Sequence, residues 1–308
     1  MNHQATLHVK GSWLLLRLIA VISSSVATIV STVLPLLLYY PMPKDKLVLL
    51  FLLLILGAFV IHGVLTHILN DYADHLSGTD ARSPAILSGG SRVIQDGHFS
   101  ADALWKFGKG LMVLLGVIVC AFVLFGYLKL AILLAIGLWG SITYSLPPLQ
   151  LSYRPFAGEW LATFPSVLFL GLAGAWLAIG EIPVWALQNA TINALFCIAW
   201  VMVHHIPDRE ADKQATPQKR TSVVWAVEKF GVEFSRLPAL VYFSLTGILA
   251  VWLGSDRMLA AFGLLVLTGT AIFLVIKMDI QNHQQVSAHE KIILILAMLN
   301  ALMLGIFI

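Results

Sequence analysis

The side chains best suited to chemistry fall in two short clusters. The first is Asn70-Asp71-Tyr72-Ala73-Asp74, with a further acid at Asp80. The second, about 140 residues later, is Asp208-Arg209-Glu210-Ala211-Asp212. Asn70 and Asp74 are four residues apart, as are Asp208 and Asp212. On a helix each pair shares one face, with Asp71 about a quarter-turn away. Carboxylate and carboxamide oxygens are hard ligands suited to Mg²⁺, which is commonly held by one or two carboxylates together with substrate phosphates. Two clusters facing each other across a magnesium–polyphosphate would neutralise charge that otherwise repels. An acid at a helix end is usually just solvated; two clusters of matched spacing argue for a joint role.

Candidate phosphate donors surround them. The segment from Arg82 to Arg92 offers two guanidiniums, and Gly89-Gly90 followed by Ser91 lets backbone N–H groups approach an anion. Lys213, Lys219, Arg220 and Thr221 follow the second cluster; each can instead be an ordinary basic or polar residue beside anionic lipid. His204-His205 stand just before Asp208. A histidine at a helix end is usually a surface or packing residue, but one beside Asp208 can serve as a base. Glu159 reads as a residue that complements the dipole of the helix it opens.

The elements that must position these residues are helices in a bilayer. Of 308 residues, 59% are hydrophobic and 11% charged, against roughly 25% charged in soluble domains. That deficit marks an integral membrane protein, and no basic run is rich enough for a nucleic-acid patch. Cys120 and Cys197 lie in apolar runs without a CxxC or histidine partner and read as small packing residues. The first apolar run lacks a cleavage site and exceeds a signal-peptide core, so it reads as a mature helix. Runs long enough to span, ~20 residues, lie at 14–40, 47–69, 106–126, 128–146, 160–180, 184–206, 237–254, 257–277 and 290–308. The expectation is one all-α transmembrane domain over 1–308, with nine spans.

Of the nineteen Lys and Arg residues, fifteen fall with the N-terminus and the loops after even-numbered helices, and four fall in the opposite loops. The positive-inside rule therefore predicts an inner-membrane protein with a cytoplasmic N-terminus and an external C-terminus. Both acid clusters follow even-numbered helices and share the cytoplasmic face. Their loops, 70–105 and 207–236, are the longest, and each is predicted to carry a short helix, Ala101–Lys109 and Val223–Phe230. This suggests a four-helix unit used twice with a ninth helix added.

These residues resemble the UbiA superfamily of intramembrane prenyltransferases. Its signatures are an Asn-Asp-x-x-Asp motif with a further Asp and a later Asp-x-x-x-Asp motif, often followed by Lys-Arg-Thr; here they are Asn70–Asp74, Asp208–Asp212 and Lys219-Arg220-Thr221. Tyr144-Ser145-Leu146-Pro147-Pro148 and Gly158-Glu159 also fit, and the resemblance runs over essentially the whole chain. Where many members place the last Asp of the first motif this chain has Gly78, with the acid two residues later at Asp80. That arrangement, with the downstream Gly-Gly-Ser, resembles the menaquinone branch, whose enzymes prenylate 1,4-dihydroxy-2-naphthoate. His204-His205 replace the Asn-Asn that members often carry before the second motif.

The resemblance implies Mg²⁺ held by Asn70, Asp74, Asp208 and Asp212, and binding of an allylic prenyl diphosphate donor with help from Arg82, Arg92, Lys213, Lys219, Arg220 and Tyr153. It implies an aromatic acceptor whose chemistry draws on Asp71, Tyr144, His204 and His205, with Asp80, Arg17 and Ser91 in supporting positions. Arg17 either snorkels to the interface or reaches an acceptor carboxylate. Trp139, Tyr144, Trp160 and Trp200 are candidate faces for an allylic cation. Rival readings are transfer to another acceptor, such as 4-hydroxybenzoate, a haem or chlorophyll precursor or a glycerol phosphate lipid; terpene cyclisation without an acceptor; and a lipid transporter. Transporters usually place charges near the bilayer midplane in broken helices, whereas these acids stand at the membrane boundary.

Overall fold

The apolar runs form nine helices long and apolar enough to cross a membrane in a computed structural model that describes residues 11–15 and 17–308. They are α1 (Gly11–Tyr39), α2 (Lys44–Ser77), α3 (Ala101–Leu124), α4 (Leu128–Ser145), α5 (Glu159–Ala178), α6 (Val184–His204), α7 (Val232–Leu253), α8 (Met258–Lys277) and α9 (His283–Ile306). No strand occurs among the described residues. Lys10, counted above with the basic residues of the N-terminal side, lies outside them.

Several boundaries differ from expectation, each for a local reason. α2 runs on to Ser77 rather than stopping near residue 69, because Ile68, Leu69 and Ala73 keep a buried stripe going past the polar residues. It stops where Gly78 takes a left-handed conformation, φ 80°, which glycine adopts without steric penalty. The short helix expected over Ala101–Lys109 is the first part of α3 itself, capped by the Ser100 hydroxyl accepting from the Ala103 N–H. The second expected short helix forms as Ser222–Phe230, capped by Thr221. α9 begins at His283 under an Asn282 cap, so Glu290 and Lys291 lie within the helix rather than at its start. The tight turns at Gly126 and Gly254 adopt φ 79° and 68°.

α6 is the most enclosed span and touches α1, α5, α7 and α9. Around it packs an apolar core that includes Phe196, Met202, Phe243 and Ile293. Its N-terminal end is fixed by a buried polar network. Arg257 donates to Gln188 Oε1 and Asn189 Oδ1, both at 2.8 Å, and to the carbonyl of Phe307; burial lowers its pKa to about 10, which leaves it charged at neutral pH. Leu49, Val117, Leu124, Val251 and Phe262 stand exposed on the outside, as lipid-facing side chains would. With one end of α6 tied down by these contacts, its other end leads into the loop that pairs with the end of α2, and there the acids gather.

Candidate functional site

The C-terminal ends of α2 and α6 bring the two acid clusters together. The loop after the second cluster pairs with the end of α2, Thr216 N–H donating to Ser77 O at 3.0 Å. Between the clusters lies the Lys219 ammonium, 2.7 and 2.9 Å from the two oxygens of Asp74 and 3.8 Å from Asp212. Lys219 is only 4% exposed. Burial alone would lower its pKa, but Asp74 and Asp212 outweigh it and hold it well above the usual lysine value. Tyr153 adds an O–H···Oδ1 contact of 3.3 Å to Asp74, and Asn70 donates to the same carboxylate at 3.1 Å.

On the other side, Asp208 accepts from Ser88 Oγ at 3.2 Å. Burial first, and then the neighbouring Asp212, raise its pKa to about 7. Asp212 is fully buried, and neither of its oxygens has a hydrogen-bond partner among the described residues; beside it stand the Lys219 ammonium, at 3.8 Å, and the His205 ring, at 3.6 Å. Such an unsatisfied carboxylate is costly to bury. Asp80 joins the same space two residues beyond the Gly78 turn, where burial and the charge of Asp74 raise it to about 8. Several acids share one ammonium, so the donor set fits a hard divalent cation. No group of three or more His, Cys, Asp or Glu side chains is placed to hold a metal among the described residues; an ion here would take its remaining ligands from a phosphate.

Asp74, Asp80, Asp208 and Lys219, though not Asp212 or Tyr153, stand at the mouth of a cavity of about 340 Å³, within the range of roughly 300–1,000 Å³ typical of small-molecule sites. Asn70, Asp74, Asp80, Tyr144, His204, His205, Asp208, Lys219 and Arg17 line it. Deeper in, its wall is apolar, with Leu53, Gly57, Ile61, Leu133 and Leu170.

The other expected site residues lie elsewhere. Asp71 does not line the cavity; it accepts from the hydroxyl and backbone N–H of Ser91 and so anchors the loop that carries Ser88. Arg82 bridges the carbonyls of Gly78 and Gln214 from an exposed position. Arg92 lies near the Asp80 carbonyl and Asp96, Arg220 pairs with Glu228, and Lys213 is exposed. None of these four lines the cavity. The guanidinium of Arg17 turns inward to the carbonyl of Ser88, 3.3 Å, rather than to the interface. Of the candidate cation faces, Tyr144 and Trp200 line the cavity; Trp139 donates to the Leu161 carbonyl and Trp160 packs beside Phe164 and Tyr242 on the outside. Glu159 stands in the first turn of α5, where it complements the helix dipole as expected, and is buried there.

Sequence reasoning missed Ser88, the histidines His62 and His67, and Glu290. The two histidines line the cavity with ring centroids 5.3 Å apart. Their signal was legible as polar residues inside an apolar run, at a five-residue spacing. Glu290 pairs with His204 across 86 residues, and its signal was a lone acid inside the last span.

The UbiA prenyltransferase family model matches residues 13–299. The fold is similar to that of a UbiA homolog from Archaeoglobus fulgidus bound to GPP and Mg²⁺, with TM-score 0.55, 16% identity, and 99% of each chain covered. A structure of a UbiA homolog from Archaeoglobus fulgidus bound to DMAPP and Mg²⁺ gives TM-score 0.53 at 16% identity over 100% of each chain. No match was found among the curated proteins.

Proposed function

Since the chain belongs to the UbiA prenyltransferase family, we propose that it transfers a prenyl group from an allylic diphosphate to an aromatic acceptor. The observation that carries this reading is Lys219 at the polar mouth of a largely apolar cavity, paired there with Asp74 and 3.8 Å from the buried, unsatisfied Asp212, which stands outside the lining. A charged head belongs at the mouth and a hydrocarbon tail in the depth. In this reading Asn70, Asp74, Asp208 and Asp212 hold Mg²⁺, which when bound supplies positive charge to the departing diphosphate.

The chain's own residues do the remainder. Lys219 and Tyr153 donate to the diphosphate oxygens as charge builds on them. Ser88 and Asp71, through Ser91, keep the loop over the mouth in place. The apolar wall excludes water that would otherwise capture the allylic cation, and Trp200 and Tyr144 offer it aromatic faces. Arg82, Arg92, Lys213 and Arg220 act at longer range, as a positive rim that draws the donor in.

The acceptor favoured is 1,4-dihydroxy-2-naphthoate or a related quinone precursor. The Gly78 turn supports this, since it returns Asp80 to the cavity in the pattern of the menaquinone branch. The whole chain acts as one domain, and the charge asymmetry of its loops supports a cytoplasmic mouth and an external C-terminus.

The test is turnover by the purified full-length protein with Mg²⁺, labelled geranylgeranyl diphosphate and 1,4-dihydroxy-2-naphthoate. A Mg²⁺-dependent prenylated naphthol is expected, and Asp74→Ala or Asp208→Ala should each reduce it below a few per cent of wild type while the protein stays folded in detergent. Diphosphate release with no acceptor would favour a cyclase. No turnover with any aromatic acceptor would overturn the proposal.

A further inference from the structure

We infer that His204 is the base that takes the acceptor's proton, and that Glu290 holds its imidazole in position for that task. This rests on the prenyl-transfer reading above. His204 Nδ1 lies 2.6 Å from Glu290 Oε1, between the end of α6 and the first third of α9. Glu290 is wholly buried and stands behind the cavity wall; His204 forms part of that wall. With Nδ1 engaged, the nitrogen that remains to meet a ligand is Nε2.

Two features argue against a purely structural pair. The second oxygen of Glu290 has no hydrogen-bond partner among the described residues, and a buried carboxylate left half satisfied costs a fold stability. Beside His204, ring centroids 5.4 Å apart, Trp200 also lines the cavity; its indole N–H, on a side chain 6% exposed, has no hydrogen-bond partner among the described residues. A donor and an imidazole thus stand together in the wall, eight and four residues before Asp208 in the chain. That is where a hydroxylated ring would meet C1 of the donor.

The step balances as follows. The C1–O bond of the donor breaks and its electron pair leaves on the diphosphate. The acceptor hydroxyl gives its proton to Nε2 of His204, and the released electron pair moves through the ring to form the new carbon–carbon bond to C1. The product is first a ring ketone and the base an imidazolium, stabilised by the Glu290 carboxylate. Trp200 N–H is placed to donate to an acceptor oxygen. His205, by contrast, is directed to Tyr144 and Asp212 and belongs to the diphosphate end.

The experiment compares wild type, His204→Gln and Glu290→Gln with a series of hydroxylated aromatic acceptors of rising hydroxyl acidity. It is run alongside Mg²⁺-dependent binding of an unreactive prenyl diphosphate analogue. His204→Gln is expected to lower kcat by about 100-fold or more while donor affinity stays within about twofold. The deficit should shrink as the acceptor hydroxyl becomes more acidic, because such an acceptor needs less help from a base; a residue that only shaped the fold would give the same deficit with every acceptor. Glu290→Gln should show the same trend with a smaller loss. A uniform loss across the series, a loss confined to KM, or loss of analogue binding overturns the assignment. Should His204→Gln fail to fold, the acidity series on Glu290→Gln decides. Wild-type turnover with unchanged variants would sink this assignment alone, whereas a wild type inactive on every aromatic acceptor would sink the proposed function with it.

Discussion

Lys219 stands where a cation is needed and has two acids to satisfy. With its side chain 4% exposed and Asp74 at 2.7 Å, removing the ammonium leaves buried carboxylates facing one another. Breaking a buried pair in this way costs roughly 3–5 kcal/mol. Lys219→Met should therefore lower the Tm of the protein in EDTA, and Mg²⁺ with a prenyl diphosphate should recover most of the loss by replacing the missing charge. A deficit that ligand leaves untouched would mean the acids do not face a shared cation site. Asp80 offers a second test. Its pKa is raised from 3.8 to about 8, by burial first and then by Asp74. Between those values the unfolded chain binds fewer protons at this site than the folded one, so stability falls as pH rises through that window. Asp80→Asn should flatten the decline in Tm between about pH 5 and pH 8 measured without metal; an unchanged slope would place its source elsewhere. The acids themselves were legible from type and spacing. Ser88 and Glu290 were not, because what gives them meaning is a partner 120 or 86 residues away.

At the scale of elements, the site depends on how α2 ends and how the next loop returns. The hydropathy of the run fades near Asn70, which is why the span was expected to stop there. The helix persists because its apolar stripe persists, and it carries Asp74 to the mouth. The Gly89-Gly90 pair was expected to bring backbone N–H groups to an anion. Its observed work is tighter: Gly90 has φ 73°, and a Cβ there would lie 2.7 Å from both oxygens of Asp80. Gly90→Ala meets both a disfavoured backbone conformation and a collision with a carboxylate. It should destabilise the protein by more than about 1 kcal/mol and raise KM for the donor, because the loop also carries Ser88 to Asp208. Wild-type Tm and donor KM in this variant would show that the loop can yield without disturbing the mouth. Capping residues such as Ser100 and Thr221 were readable in the sequence, but the loop's path was not, since it is set by contacts to Asp71, Asp80 and Asp208 at once.

For the whole molecule, counting apolar runs was enough to reach nine spans, but not to say which helices enclose the cavity. That choice is made by small residues at close crossings. Gly140 faces Ser166 between α4 and α5, and Gly171 faces Ala190 between α5 and α6; close approach of this kind is how helices associate in a bilayer. The resulting chamber follows α2 from Asp74 back to Leu53, which at 1.5 Å per residue is on the order of 30 Å, comparable with the hydrocarbon thickness of a bilayer. A donor's diphosphate held at the mouth would send its tail down this wall, so the length of chain accepted should be set by what fills the deep end. Gly57 lines that stretch, and nothing lies within 4 Å of where its Cβ would stand. Gly57→Phe therefore places its Cβ without displacing a neighbour and is expected to add a ring to the chamber, well away from the mouth and its acids. Turnover of a geranyl donor should be kept while that of a geranylgeranyl or longer donor falls by about tenfold or more, the equivalent of roughly 1.4 kcal/mol. Equal loss for short and long donors would mean that the tail leaves the bundle sideways into lipid before it reaches Gly57, and that the length of this chamber does not set the length of the chain.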